Sequence, residues 1–366
     1  MFDFIPVEVY SEFYVNIILL TCAVTYFHTL VLRPDDQKVI LFNRIFGYSL
    51  LIFVTLLIGT RPIHGEFVDM MTYAQTFEQI RLGLLDIGQG DVGFEMFLYI
   101  CTRLTSVEGF FFISACIYII PLFVASKNWF PKYYLFSFLV LVASFSFWTY
   151  GVNGIRNGMA TSLFVLALSY QDKNKVLMAV FFFISLMFHK SMALPLAAFG
   201  VTFLLKDTIK YYFFWVLGIL LSISMGGVWI SLFTSLGFGD DRLSGYLSAT
   251  ADASKFSSTG FRFDFLIYSA APLVLAFHYI FKKNFDDPVY KRILHTYIVA
   301  NAFWIMIIRA NFSNRFAYLS WFLMGIVVIY PILKTKMWPQ HFKKVGLVVM
   351  FYFSFTYFMF YYYQFR

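Results

Sequence analysis

Twelve apolar runs, most near the length of a membrane span and separated by polar connectors, dominate this chain. They lie near 11–32, 45–60, 109–126, 133–150, 155–170 and 176–189, then near 191–206, 211–230, 263–281, 293–309, 316–333 and 345–362. A helix needs roughly 20 apolar residues to cross the hydrocarbon core, with about 17 tolerated. In lipid every backbone polar group must be satisfied within the protein, which makes such runs helices. The expected fold is therefore an all-α polytopic membrane protein of about 12 transmembrane helices, forming a single transmembrane domain over 1–366, with the lipid bilayer as its solvent. The stretch 94–105 is apolar but short, and reads as an extra interfacial or re-entrant helix. Two longer polar segments, 61–93 and 231–262, form the larger loops. The second is rich in Gly, Ser and Asp and reads either as a cover over a site or as a plain connector.

Composition narrows the partners. Hydrophobic residues make up 60% of the chain and charged residues only 13%, too few to clothe a soluble domain of this length. The net charge of +8 would point to nucleic acid only if a solvated basic domain carried it, and none exists, so no nucleic-acid partner is expected. The basic residues sit instead in short connectors. Arg33, Lys38, Arg44, Lys127, Lys132, Lys173, Lys175, Lys206, Lys210, Lys282, Lys283, Lys291, Arg292, Lys334, Lys336, Lys343 and Lys344 fall on alternate connectors, 17 of the 28 cations. By the positive-inside rule that face is cytoplasmic, and both termini and both longer loops lie outside. Asp3, Glu8 and Glu12 make the N-terminus a poor cleavable signal, so the apolar run after it is expected to stay as the first span. Cys22, Cys101 and Cys116 have no metal-ligand spacing and read as packing residues.

The cations that topology does not explain include Arg61, Arg81, Arg103, Arg156, Lys190, Arg242, Arg262, Arg309 and Arg315. Arg156 opens an apolar helix, where it opposes both the helix dipole and the positive-inside bias. Both costs vanish if an anion sits there, and a helix start with a guanidinium suits a diphosphate. Interfacial snorkelling or a bond to a carbonyl would also place it there. Asn153 can cap that helix, with Asn157 as a further polar member of the segment. Gly158 and Ser162, four residues apart, read as a close-packing pair. His189, Lys190 and Ser191 break two apolar runs on the same face, and His189 is either a structural hydrogen-bonder or a catalytic group. Arg309 and Arg315 bracket a short turn with Asn311 and Asn314, a second anion site or a pair of interfacial anchors. Arg61, His64, Glu66, Asp69, Tyr73, Asp91 and Glu95 populate the first outer segment, where any carboxylate could be a base or merely solvated.

These residues resemble a family. Asn153-Gly154-Ile155-Arg156-Asn157-Gly158 is similar to the N-x-I-R-Q/N element of EpsG-like polysaccharide polymerases, and Phe188-His189-Lys190-Ser191 to their H-x-S element. Arg61, Asp69 and Tyr73, followed by Gly93-Phe94-Glu95, resemble the earlier R…D…Y and G-F-E elements. Order and spacing agree over roughly 60–200. The chain departs from the pattern after Arg61, where Pro62-Ile63-His64 replaces a short Gly-containing lead, and Asp69 is the less specific carry-over.

The resemblance implies a Wzy-type polymerase of O-antigen, capsule or exopolysaccharide in the bacterial cytoplasmic (inner) membrane. Such enzymes work without metal or other cofactor on the periplasmic or exterior side. They transfer a growing glycan from one undecaprenyl diphosphate to the sugar of another lipid-linked repeat unit, and the relationship suggests a chain-length regulator as a partner. His189, Glu95 and Arg156 are then the expected catalytic residues, with His189 or Glu95 as base. Arg61, Asp69, Tyr73, Asn153, Lys190, Arg309 and Arg315 are expected to bind substrate. A glycosyl diphosphate needs charge neutralisation more than proton donation when it leaves, and guanidinium groups supply it. The alternatives are a flippase or transporter of lipid-linked oligosaccharide, an O-antigen ligase with the same donor, and a membrane O-acyltransferase. A transporter would call for ionisable residues near the span centres, which are nearly free of charge.

Overall fold

A computed structural model of the chain describes residues 2, 4–34, 36–88, 90–235, 261–309 and 314–364. Most of the 231–262 segment, including Arg242, lies outside them. Among the described residues the fold is all helix, with no strand. Contacts divide it into two compact units: Met1–Ala193 with Ile329–Arg366, and Leu194–Val328.

The first unit opens with α1 (Tyr10–Val31), α2 (Gln37–Gly59), α3 (Asp69–Arg81), α4 (Val92–Leu104) and α5 (Val107–Trp129). It continues through α6 (Tyr134–Val142), α7 (Phe145–Val152), α8 (Ile155–Leu168) and α9 (Lys175–Phe188). The second holds α10 (Ala193–Leu204), α11 (Thr208–Ser235), α12 (Phe263–Phe277), α13 (Pro288–Met306) and α14 (Asn314–Trp321). Helix α15 (Met324–Lys334) leads back to the first unit, which closes with α16 (His341–Gln364).

Seven helical segments among the described residues are long and apolar enough to cross a membrane, or eight if the bent pair α6–α7 is one span. The protein is thus a multi-pass membrane protein, and the expected count of about twelve is not reached by length and composition. The reason is local. The run 133–150 breaks at Ala143-Ser144, and its two halves meet at 68°. The runs near 155–170 and 176–189 form helices of 14 residues each, about 21 Å at 1.5 Å per residue against a hydrocarbon core of about 30 Å. Helix α8 is buried along nearly its whole length, so protein rather than lipid surrounds it and no lipid-length match is imposed. Leu20, Phe27, Phe213, Leu220, Phe351 and Phe358 on the longer helices are exposed and suit a lipid-facing surface. The stretch 94–105 forms the short α4, as its length required.

The packing around α8 shows why small residues stand where they do. Ser162 Oγ donates to the Tyr118 carbonyl of α5, and Ser185 Oγ of α9 donates to the Ala160 carbonyl at 2.6 Å. A Cβ on Gly158 would lie 2.6 Å from the Tyr150 carbonyl oxygen. Gly158 and Ser162 are the close-packing pair that their spacing suggested.

Unit 1 has two polar ends. At one, the α1 start meets the α2 end through Tyr10 Oη and the Leu57 carbonyl, 3.2 Å. At the other, Lys173 Nζ donates to the Asn128 carbonyl at 2.6 Å, Lys127 Nζ to Tyr48 Oη at 3.1 Å and Tyr133 Oη to the Pro34 carbonyl at 3.1 Å.

Unit 2 is organised by buried amide and indole groups. Trp215 Nε1 of α11 donates to Asn301 Oδ1 of α13 at 2.8 Å. Asn301 Nδ2 donates to Ser269 Oγ of α12 at 3.1 Å and Ser320 Oγ of α14 at 3.0 Å, and Trp321 Nε1 reaches Ser269 Oγ at 2.7 Å. One side chain therefore joins four helices. Asn301→Leu leaves the Trp215 indole N–H buried without its acceptor, at a cost of about 1–3 kcal/mol. The expected result is a lower thermal unfolding midpoint of the detergent-solubilised protein, and an unchanged midpoint would refute the role.

Candidate active site

The chain turns out of α2 at Thr60, and Arg61 comes next. Its side chain is buried, with Nη1 donating to the Ile58 carbonyl and Nη2 to the Val152 carbonyl at 3.2 Å. The rings of Phe67 and Phe111 lie 5.6 and 5.4 Å from its guanidinium carbon. Both carbonyls belong to helix C-termini, where partial negative charge accumulates. Burial lowers the Arg61 guanidinium to about 10, with Tyr10 acting in the opposite direction, so it stays charged near neutrality. Arg61 clamps the end of α2 to the end of α7, a placement unlike that of a side chain offered to substrate.

The clamp delivers Asn153. Sequence reasoning makes Asn153 the cap of α8, but its backbone lies in the helical region (φ −112°, ψ −63°), and an N-cap residue is normally extended. Gly154 takes that place and supplies no side-chain bond. Asn153 Oδ1 instead accepts the backbone N–H of Asp69 at 3.2 Å. It caps α3, whose own N-cap residue Val68 sits at φ 34° and has no side chain able to do so. The cap sets Asp69 and, one turn on, Tyr73 beside the first turn of α8.

Arg156 occupies that first turn. Its Nε donates to Tyr73 Oη at 3.1 Å, and its Nη1 meets Asp91 Oδ2 at 3.1 Å. The guanidinium carbon is 5.6 Å from the Phe94 ring, a cation–π distance, and Phe94 meets Tyr73 edge to face. The Arg156 side chain is 25% exposed, whereas Asp91 is 5% exposed. The charge that opposed the helix dipole is thus balanced from within the chain, by a carboxylate just before α4. Asp91 also accepts the Lys190 backbone N–H on Oδ1 at 2.9 Å. Close approach of α4 to the end of α9 permits this, since a Cβ on Gly93 would lie 2.8 Å from the Met187 carbonyl oxygen.

The end of α9 carries the second element. His189 is extended (φ −157°, ψ 121°) and starts a 3-10 turn over Lys190–Met192. Its Nδ1 accepts the Ser191 backbone N–H at 3.1 Å and lies 2.7 Å from Ser191 Oγ, while Ser191 Oγ donates to Asn157 Oδ1 at 3.2 Å. A backbone N–H only donates, so Nδ1 holds a lone pair and the neutral ring carries its proton on Nε2. The Lys190 side chain is exposed. Glu95, in the first turn of α4, folds back on its own loop and accepts the Gly88 backbone N–H on Oε2.

The first unit accordingly brings together Tyr73, Asp91, Arg156 and Lys190, with His189, Ser191 and Asn157 adjoining, and Asn153 and Asp69 supporting them. By sequence alone Asp91 reads as a base or a solvated carboxylate, and Asn157 as a further polar member of the Arg156 segment. Only the position of Asp91 just ahead of Gly93-Phe94-Glu95 signals it. Arg309 and Arg315 lie in the second unit, both exposed, and residues 310–313 between them fall outside the described ones. Other cations outside the alternate-connector set have local partners: Arg81 pairs with Glu78 at 2.6 Å, Arg262 with Asp264, and Arg103 stacks over Tyr99. Among the described residues no three His, Cys, Asp or Glu side chains gather as a metal site requires.

No curated protein and no solved structure matches the chain. A family model does, and the residues it covers, 44–366, hold every side chain of this cluster. With the match running over most of its length, the chain belongs to the EpsG family and is a membrane protein of polysaccharide biosynthesis.

Proposed function

We propose that this protein is a membrane glycosyltransferase that polymerises undecaprenyl-diphosphate-linked repeat units on the outer face of the bacterial cytoplasmic membrane. The observation that carries this reading is the partly exposed Arg156 guanidinium, held by Tyr73 and Asp91 over a helix start that has no side-chain cap. A diphosphate leaving group gathers negative charge as its bond to the sugar breaks, and a fixed guanidinium with first-turn amides is suited to receive it.

In the proposed reaction the acceptor hydroxyl oxygen bonds to the donor's anomeric carbon while the carbon–oxygen bond to the diphosphate breaks. The lipid diphosphate leaves as its anion, and the hydroxyl proton passes to a base. Glu95 is the better base, because the His189 lone pair on Nδ1 is already engaged by the Ser191 amide and hydroxyl. Lys190, Arg309 and Arg315 are the further cations that would bind phosphate or glycan. Orientation rests on the two polar ends of unit 1: Lys127 and Lys173 mark the cytoplasmic one, and the Arg156 cluster the outer one. In this reading the bent pair, the three shorter apolar helices and Pro288–Met306 cross with the seven longer segments, which restores the expected dozen. Among the shorter ones, α8 crosses where protein surrounds it.

Purified protein in lipid nanodiscs, given lipid diphosphate-linked repeat units, is expected to yield a ladder of products. Movement of the donor across liposomes without extension would indicate a flippase, and transfer to lipid A core without a ladder a ligase. Glu95→Gln keeps an oxygen for the Gly88 amide but cannot take up a proton. It is expected to slow polymerisation about 10²- to 10⁴-fold, and full activity in that variant would return the base role to His189.

A further inference from the structure

We infer that Asp91 is the positioning residue of this site, joining the Arg156 helix start to the His189 turn through one carboxylate. The inference rests on the polymerase reading for its activity readout and on geometry for the rest. Three segments distant in sequence meet at Asp91. Its Oδ2 takes Arg156 Nη1 from α8 at 3.1 Å, and its Oδ1 takes the Lys190 amide at the end of α9 at 2.9 Å. Asp91 itself precedes the first turn of α4, pressed against α9 where Gly93 meets Met187. The carboxylate is 5% exposed and both its oxygens are engaged. A buried anion is retained at such cost only when paired and hydrogen-bonded, and here the pairing fixes where a cation points.

Asp91 has two effects of opposite sign on a diphosphate. It holds the Arg156 guanidinium in place, which favours the transition state. It also offsets the positive charge of Arg156, which weakens ground-state attraction for the bound donor. Asp91 therefore directs Arg156 toward the charge that develops during transfer and away from tight binding of the resting donor. This is a role in positioning, since the carboxylate reaches substrate only through Arg156 and the Lys190 turn.

The test uses the full chain in nanodiscs with Asp91→Asn and Asp91→Glu. Asparagine keeps an oxygen for the Lys190 amide and removes the charge that holds Arg156. The expected result for Asp91→Asn is a kcat lowered about 30- to 100-fold, with a donor KM no higher than wild type and an unfolding midpoint within a few degrees. Asp91→Glu is expected to recover part of the kcat, since it restores the charge at a slightly different reach. A KM that rises with kcat unchanged would mean that Asp91 contacts substrate, and wild-type kinetics in Asp91→Asn would mean that it positions nothing; either overturns the inference. A loss of kcat that merely tracks a fall in the unfolding midpoint also overturns it, as a structural ion pair would behave that way. Failure of the polymerase reading looks different, because the wild-type protein itself would then produce no ladder.

Discussion

Arg156→Ala is expected to abolish long-chain glycan while the protein still reaches the membrane. Loss of one fixed donor at a developing anion typically costs about 10²- to 10³-fold in rate. In Arg156, Nε and Nη1 already donate to Tyr73 and Asp91 from a single planar fork, which fixes the charge in place. Removing the guanidinium also leaves the Asp91 carboxylate buried with only the Lys190 amide for company, a cost of about 3–5 kcal/mol for a severed buried pair. Alanine alone would thus confuse chemistry with folding. Arg156→Lys separates them, since it keeps a charge near Asp91 and loses the fork that also reaches Tyr73. The expected outcome is a lysine variant with near wild-type unfolding and a rate at least tenfold lower in the ladder assay. Normal polymer length in cells that carry only Arg156→Ala would sink the assignment.

The second large effect is structural. Gly158→Val is expected to prevent accumulation of folded protein, because its branched side chain must enter space held by backbone. The nearest atom to a Cβ there is the Tyr150 carbonyl oxygen at 2.6 Å, followed by the Tyr150 carbonyl carbon at 3.1 Å and the Tyr118 ring at 3.2 Å. A flexible side chain could move aside, but the Tyr150 carbonyl belongs to α7, whose end is clamped by Arg61. Overpacking at such a point costs on the order of 3 kcal/mol. The α7–α8 turn that presents Arg156 would shift with it. Gly158→Ala is expected to be milder, with a lower unfolding midpoint and reduced polymerisation together. The amount of monodisperse protein recovered by size exclusion checks both, and a Gly158→Val protein that purifies and unfolds like wild type would contradict the packing account.

Much of this protein was legible in its sequence because the signals are local. Span-length apolar runs impose helices wherever lipid is the solvent, and an all-helical membrane protein follows without reference to tertiary contacts. The family resemblance was likewise readable from the order of the Arg61, Asp69, Tyr73, Arg156 and His189 elements, and the EpsG family model matches residues 44–366. Arg156 stood out by its cost at a helix start, and Gly158 with Ser162 by spacing alone.

What tertiary structure decided concerns partners far apart along the chain. Arg156 meets Asp91 across 65 positions, Asn153 caps Asp69 across 84, and Arg61 reaches Val152 across 91. No periodicity encodes such pairings, since a side chain's polar demand says that it will be met but not by whom. For that reason the sequence points Asn153 to α8, the helix next to it in the chain, although its side chain caps α3. The helix breaks at Ala143-Ser144 and the brevity of α8 were hidden in the same way, because hydropathy reports solvent preference and cannot tell lipid from a protein interior. The sequence alone determined the class of solvent and the residues that carry unusual charge. Which carboxylate answers that charge, and which helix end each cap serves, followed only from packing, because those choices are made by distance in space.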